Sequence, residues 1–144
     1  MKISTKARYA LRMLIDLAER RDAGAVALKE ISERQNISKK YLEQIIPSFT
    51  KSGILKTTRG YQGGYELNVS PDKVTVGDVL RLTDGSLSPL DCAENNGADC
   101  PRSGECRVMW VWKGLYDAVS GYLDSVTLQD ILDRGDPSAF NYVI

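Results

Sequence analysis

From residue 5 to residue 20 the apolar side chains fall at Ala7, Ala10, Leu11, Leu14, Ile15, Leu17 and Ala18. That three-and-four spacing predicts an amphipathic helix ending near Arg20, with Ser4 or Thr5 as its cap. A loop containing Gly24 follows. Leu28 and Ile31 in the segment LKEISERQ mark a short second helix, and Asn36, Ile37 and Ser38 form a tight connector. Ser38 is suited to cap a third helix beginning near Lys39, which carries Tyr41, Leu42, Ile45, Ile46 and Phe49 inward or along its flank and stops at Gly53. Two short helices joined this way, the second opening at a capping Ser, read as a helix-turn-helix. Pro47 interrupts the third helix on paper. It denies the Glu43 carbonyl its helical donor, at a cost of about 3 kcal/mol in a regular helix, and predicts a kink or an early break.

The period then changes. Ile54 to Thr58 and Gly64 to Asn68 read as two strands around the loop Arg59-Gly60-Tyr61-Gln62-Gly63-Gly64. A glycine-rich hairpin directly after a recognition helix is a wing, and its Arg suits a narrow minor groove. Thr75 caps a short helix through Val76, Val79, Leu80 and Leu82, ended by Gly85. Residues 86–106 read as a loop, and a long helix from about Arg107 to Leu123 follows. Trp112, Leu115, Tyr116, Val119 and Leu123 form one stripe on it, broadened by Val108, Val111 and Tyr122. A stripe this wide needs a partner. Thr127 caps a last helix to about Asp133, and a tail completes the chain. The expected fold class is mainly α with a small β-hairpin. Residues 1–70 form a winged helix-turn-helix domain, 71–106 a connector helix and loop, and 107–144 the dimerisation helix, short helix and tail.

Charge sharpens this picture. The 144 residues have no net charge, yet residues 1–60 carry 13 Lys and Arg against 6 Asp and Glu, while residues 61–144 carry 6 against 13. A basic half of net +7 joined to an acidic half of net −7 is the asymmetry expected when one part faces phosphates. The chain has no His, no G-x-S-x-G and no phosphate-binding G-x-x-x-x-G-K, so enzymatic chemistry is not expected. It has no run of about 18 apolar residues and no apolar leader, so a cytoplasmic protein that spans no membrane is expected.

On the third helix Gln44 is able to pair with adenine, and Glu43 to accept from the cytosine amino group while repelling phosphates at wrong sites. Lys39, Lys40 and Lys51 suit phosphates; Ser38 both caps the helix and suits a phosphate contact. Lys6, Arg8 and Tyr9 on the first helix are further backbone candidates. In the wing, Arg59, Gly60, Tyr61, Gln62 and Gly63 form the expected groove contact. Two copies on a two-fold axis read a palindrome in double-stranded DNA.

The segments MKISTKARYA (1–10), ISKKYLEQ (37–44) and RGYQGGYEL (59–67) resemble the Rrf-type family of bacterial winged helix-turn-helix regulators. The likeness covers nearly the whole chain, and the pairing of Tyr-Leu-Glu-Gln with the glycine-rich wing is its specific part. The resemblance implies a DNA-reading role for Glu43 and Gln44, and a homodimer formed by the long helix.

Three cysteines, Cys92, Cys100 and Cys106, lie on the 86–106 loop with C-x7-C-x5-C spacing. An odd number of Cys in a reducing compartment argues against a disulfide framework. Such a loop is able to close on iron, to hold zinc with an oxygen ligand, or to sense oxidation through free thiols. The IscR-like branch of the family places three Cys here, so the resemblance implies an iron–sulfur cluster of the 2Fe-2S type. Two departures accompany it. The first spacing is slightly longer, and the His that serves as fourth ligand in that branch has no counterpart, with Met109 near its place. The Asp that serves another branch is replaced by Arg8. Asp91, Glu94, Asp99, Glu105, Met109 or solvent is left as fourth ligand. The tail Phe140-Asn141-Tyr142-Val143-Ile144 resembles the CymR-like branch, for which the implied partner is cysteine synthase. The alternative is thus a clusterless regulator of cysteine and sulfur metabolism, controlled by that partner or by thiol oxidation.

Overall fold

The computed structural model describes residues 2–135. In chain order these form α1 (Thr5–Glu19), α2 (Leu28–Gln35), α3 (Lys39–Lys51), β1 (Leu55–Thr58), β2 (Gly64–Leu67), α4 (Val76–Asp84), α5 (Asp91–Glu94), α6 (Met109–Ser125) and α7 (Leu128–Arg134). The expectations for residues 136–144, including the apolar tail, lie outside the described residues.

The helix starts follow from hydroxyl caps. The Ser4 side chain accepts from the Ala7 N–H at 3.0 Å, and Ser38 from the Tyr41 N–H at 3.1 Å. Thr75 and Thr127 each form a reciprocal capping box, with Asp78 and Asp130. Each such cap is worth about 1 kcal/mol. Asn36 ends α2 in the left-handed region at φ +53°, a conformation that Asn tolerates.

One core joins most of these elements. Ala10, Met13, Leu14 and Leu17 of α1 meet Ile31, Leu42, Ile45, Phe49, Leu55, Leu67, Val79 and Leu128. Leu128 is fully buried, so α7 returns to the N-terminal core after α6. Backbone bonds fix that return: the Val76 N–H donates to the Val126 carbonyl at 2.8 Å, and the Leu128 N–H to the Val74 carbonyl at 2.9 Å.

The wing is an antiparallel pair with Leu55 opposite Leu67 and Thr58 opposite Gly64. Val26 adds an isolated bridge to Tyr65, with bonds of 2.8 and 2.9 Å. This approach requires Gly64: a Cβ there lies 2.2 Å from the Val26 carbonyl oxygen.

Three expectations are corrected. Of the kink or early break expected at Pro47, the break does not occur: α3 runs to Lys51. Pro47 and Glu43 are both exposed, so water is at hand for the carbonyl that lost its donor. The 86–106 loop contains a one-turn helix, α5, that a four-residue segment is too short to signal by periodicity. The stripe on α6 divides into two faces. Tyr116 and Leu123 pack within the chain against Ala7, Val76, Leu80 and Leu87. Among the described residues nothing covers the face formed by Val108, Val111, Leu115 and Tyr122, Tyr122 being 68% exposed; Trp110 beside it is 76% exposed, and no residue of α6 is buried.

Candidate nucleic-acid interface and cysteine loop

The third helix presents its polar side outward. Ser38, Lys39, Lys40, Glu43, Gln44, Pro47 and Lys51 are all exposed, while Leu42, Ile45, Ile46 and Phe49 anchor the opposite side in the core. Lys39, Lys40, Lys51 and Arg59 form no salt bridge with another described residue. Cations left without partners on one face suit a polyanion.

Other cations are fixed, and they hold the frame. Asp16 is fully buried on α1 and was missed by sequence reasoning. The Arg34 Nε donates to both of its carboxylate oxygens at 3.1 Å, and Nη2 donates to Oδ1 at 2.9 Å. Arg20 adds a bond of 2.8 Å and the Gln35 amide one of 3.3 Å. The bond to Asp16 raises the Arg34 pKa. The signal in the sequence was an Asp among the core positions of α1 with an Arg four residues on. Arg12 extends the frame: it donates to the Gln35 backbone carbonyl and lies over the Tyr9 ring at 5.4 Å. Tyr9 meets Tyr41 of α3 edge-on at 5.3 Å between centroids. These links set the angle of α3 against α1 and α2.

Beyond the hairpin strands, Arg59, Gly60, Tyr61 and Gln62 project into solvent, and Tyr61 is wholly exposed. Gly60 takes φ +112°, which permits the turn. Gly63 is crowded differently, since a Cβ there lies 2.4 Å from the Thr58 carbonyl oxygen.

A second frame joins α4 to α6. Arg81 makes a bidentate pair with Asp124 at 2.7 and 2.8 Å, which holds the Asp124 carboxyl below its ordinary pKa.

Cys92, Cys100 and Cys106 are free thiols, each half-buried. Cys92 sits on α5, and Cys100 follows a turn built on Gly97, whose N–H donates to the Cys92 carbonyl at 2.8 Å. Gly97 has φ +77°, and a Cβ there lies 2.7 Å from Ser103 Cβ and 2.9 Å from Met109 Cε. A pocket of about 190 Å³ is lined by Asp91, Cys92, Asn95, Asp99 and Cys100. Cys106 does not line it. Among the described residues no three His, Cys, Asp or Glu side chains are gathered closely enough to hold a metal ion. Among the other oxygen donors, Glu94 bonds to the Ser86 hydroxyl at 2.9 Å. Also among the described residues, no helix is long and apolar enough to cross a membrane.

Known proteins share this fold. The family model described as "Iron-dependent Transcriptional regulator" matches residues 3–134. The chain is 38% identical to the HTH-type transcriptional regulator CymR of Bacillus subtilis over 146 aligned positions, spanning all of both chains. The solved structure of that regulator, described as the global cysteine regulator, superposes with a TM-score of 0.77 over 94% of this chain and 99% of the other. The HTH-type transcriptional regulator IscR of Aliivibrio salmonicida is 36% identical over 92% of this chain and 77% of its own length. The structure of T. potens IscR is 34% identical, with a TM-score of 0.74 over 99% of this chain and 93% of that one.

Proposed function

The chain belongs to the Rrf2 family of transcriptional regulators, and from that premise we propose that it binds palindromic promoter DNA in the cytoplasm as a homodimer whose state is set at the cysteine loop. The observation that carries the DNA reading is the exposed side of α3, where lysines without a salt bridge among the described residues surround Glu43 and Gln44 beside a projecting wing. Gln44 and Glu43 read base edges, Ser38, Lys39, Lys40 and Lys51 hold phosphates, and Arg59 to Gly63 approach the minor groove. The uncovered face of α6 supports the dimer. Val111, Leu115, Ala118 and Tyr122 follow alternating spacings of four and three, the repeat of a helix–helix seam. Gly114 and Gly121 flank it, and among the described residues a Cβ at either meets nothing within 4 Å.

For the loop, the donor chemistry fits an iron–sulfur cluster. Three thiols free of disulfides lie on one segment, with the carboxylates of Asp91 and Asp99 beside the first two. Cys92, Cys100 and Cys106 would hold a 2Fe-2S group, and when bound it supplies an iron centre sensitive to oxygen and redox state. The chain's own part is mechanical. Cys106 stands apart from the pocket of the other two thiols, so holding the group with all three would tighten the loop that leads into α6, against which α5 packs. Since α6 is clamped to α4 by Arg81 and Asp124, loop order and winged-helix position are linked.

A second reading is favoured by the full-length match to CymR: a clusterless regulator of cysteine metabolism acting with cysteine synthase or through thiol oxidation. Anaerobic purification separates the two. The cluster reading expects a red-brown protein with equal iron and sulfide, bleached by oxygen or chelator and lost in Cys92→Ala, Cys100→Ala or Cys106→Ala. Protein free of iron and sulfide after anaerobic reconstitution overturns it. Pull-down of cysteine synthase, lost on deleting the last four residues, then supports the second reading.

A further inference from the structure

Pro47 is exposed within α3, so core packing does not account for it. An interior proline is the least favourable residue a helix accommodates. Its place on the helix is informative. At about 100° per residue the exposed positions fall in the order Lys39, Glu43, Pro47, Lys40, Lys51, Gln44 across roughly 140°. Pro47 therefore stands near the middle of the outward face, and the buried Leu42, Ile45, Ile46 and Phe49 occupy the opposite side. Around it are the free lysines and the two base-reading side chains; Pro47 itself offers a hydrocarbon ring. That ring has no N–H and no rotamers to lose on docking. In the major groove, thymine is the base that presents a methyl group.

We propose that Pro47 is a specificity-determining residue that reads thymine by covering its C5-methyl with the pyrrolidine ring. The inference rests on the reading of α3 as the DNA-facing helix. It explains why a residue costly to the helix stands where packing does not use it: local stability is exchanged for an apolar contact that Ala, lacking the ring, does not make.

The test uses full-length protein and a duplex that it selects from a randomised pool. Each thymine of the selected site is replaced in turn by deoxyuridine, which lacks only the methyl, and affinity is read by fluorescence anisotropy. Wild type should weaken roughly three- to fivefold at one thymine per half-site, the worth of one buried methyl. Pro47→Ala should bind the thymine duplex more weakly by a similar factor and be indifferent to deoxyuridine there. It should also melt at a higher temperature than wild type, since the backbone N–H that the substitution introduces restores the missing helical bond. The proposal is overturned if wild type ignores every replacement or if Pro47→Ala keeps the deoxyuridine penalty. It is equally overturned if that variant weakens selected and random duplexes alike. Silence of Lys40→Ala and Gln44→Ala in the same titrations would instead remove α3 from the DNA, and the underlying reading would fail first.

Discussion

Arg34→Ala should destabilise the protein by about 2–3 kcal/mol. The figure follows from what is left behind. Asp16 is fully buried, and Arg34 makes three of the bonds to its carboxylate. Leaving a buried charge wholly uncompensated costs about 3–5 kcal/mol. Here Arg20 and Gln35 remain at 2.8 and 3.3 Å, and the Arg34 side chain is itself 29% exposed, so part of its attraction is already screened by solvent. Both facts bring the loss below that range. Arg20→Ala supplies the contrast. It removes one bond to the carboxylate, together with weaker ones to the Asp16 carbonyl and Glu19, from a side chain 35% exposed, and should cost about 1 kcal/mol or less. Urea unfolding at fixed protomer concentration measures both, because the stability of a dimer depends on concentration. Arg34→Ala should also weaken DNA binding without touching DNA, since it loosens α1 from the end of α2. A loss for Arg34→Ala no larger than that for Arg20→Ala would refute the assignment of Asp16 as the hub of the frame.

Gly64→Ala places a methyl against the Val26 carbonyl, so the wing must shift; a loss of about 1–3 kcal/mol and faster proteolysis at the hairpin are expected. Leu115→Asp puts a charge in the uncovered face of α6 and should shift sedimentation from dimer to monomer while helix content by circular dichroism persists. Asp124→Asn tests the clamp to α4. Because pairing with Arg81 lowers the Asp124 pKa in the folded state, the stabilisation is present above the ordinary carboxylate pKa of about 3.9 and is lost as pH falls through the lower folded value. The variant should therefore be less stable than wild type at neutral pH, and the two unfolding curves should converge in stronger acid.

The elements readable in advance were those whose local chemistry agrees with their packing. Ser4, Ser38, Thr75 and Thr127 each start a helix through their own side chain, and the glycines of the wing mark a turn and two close approaches. The exposed residues of α3 were legible because polar side chains at helical spacing oppose a core stripe. Misreadings arose where tertiary structure decides. Tyr116 and Leu123 belong to the same apolar band as Leu115, and only the position of α4 tells which part faces inward. Asp16 was invisible as a core residue because its burial depends on two arginines brought in from other turns. The break expected at Pro47 failed because the lost bond lies on the solvent side. The cysteines were legible as a group, while the pocket shared by Cys92 and Cys100 depends on the Gly97 turn.

The claim that α3 reads DNA is tested most directly by anisotropy titrations of Gln44→Ala and Lys40→Ala on selected and random duplexes across a salt series. Gln44→Ala should lose about 1–3 kcal/mol on the selected duplex and little on random sequence, because a base contact is removed. Lys40→Ala should weaken both duplexes alike and reduce the salt slope by about one, because a phosphate contact is removed. Wild-type affinity and salt slope in both variants would contradict the account.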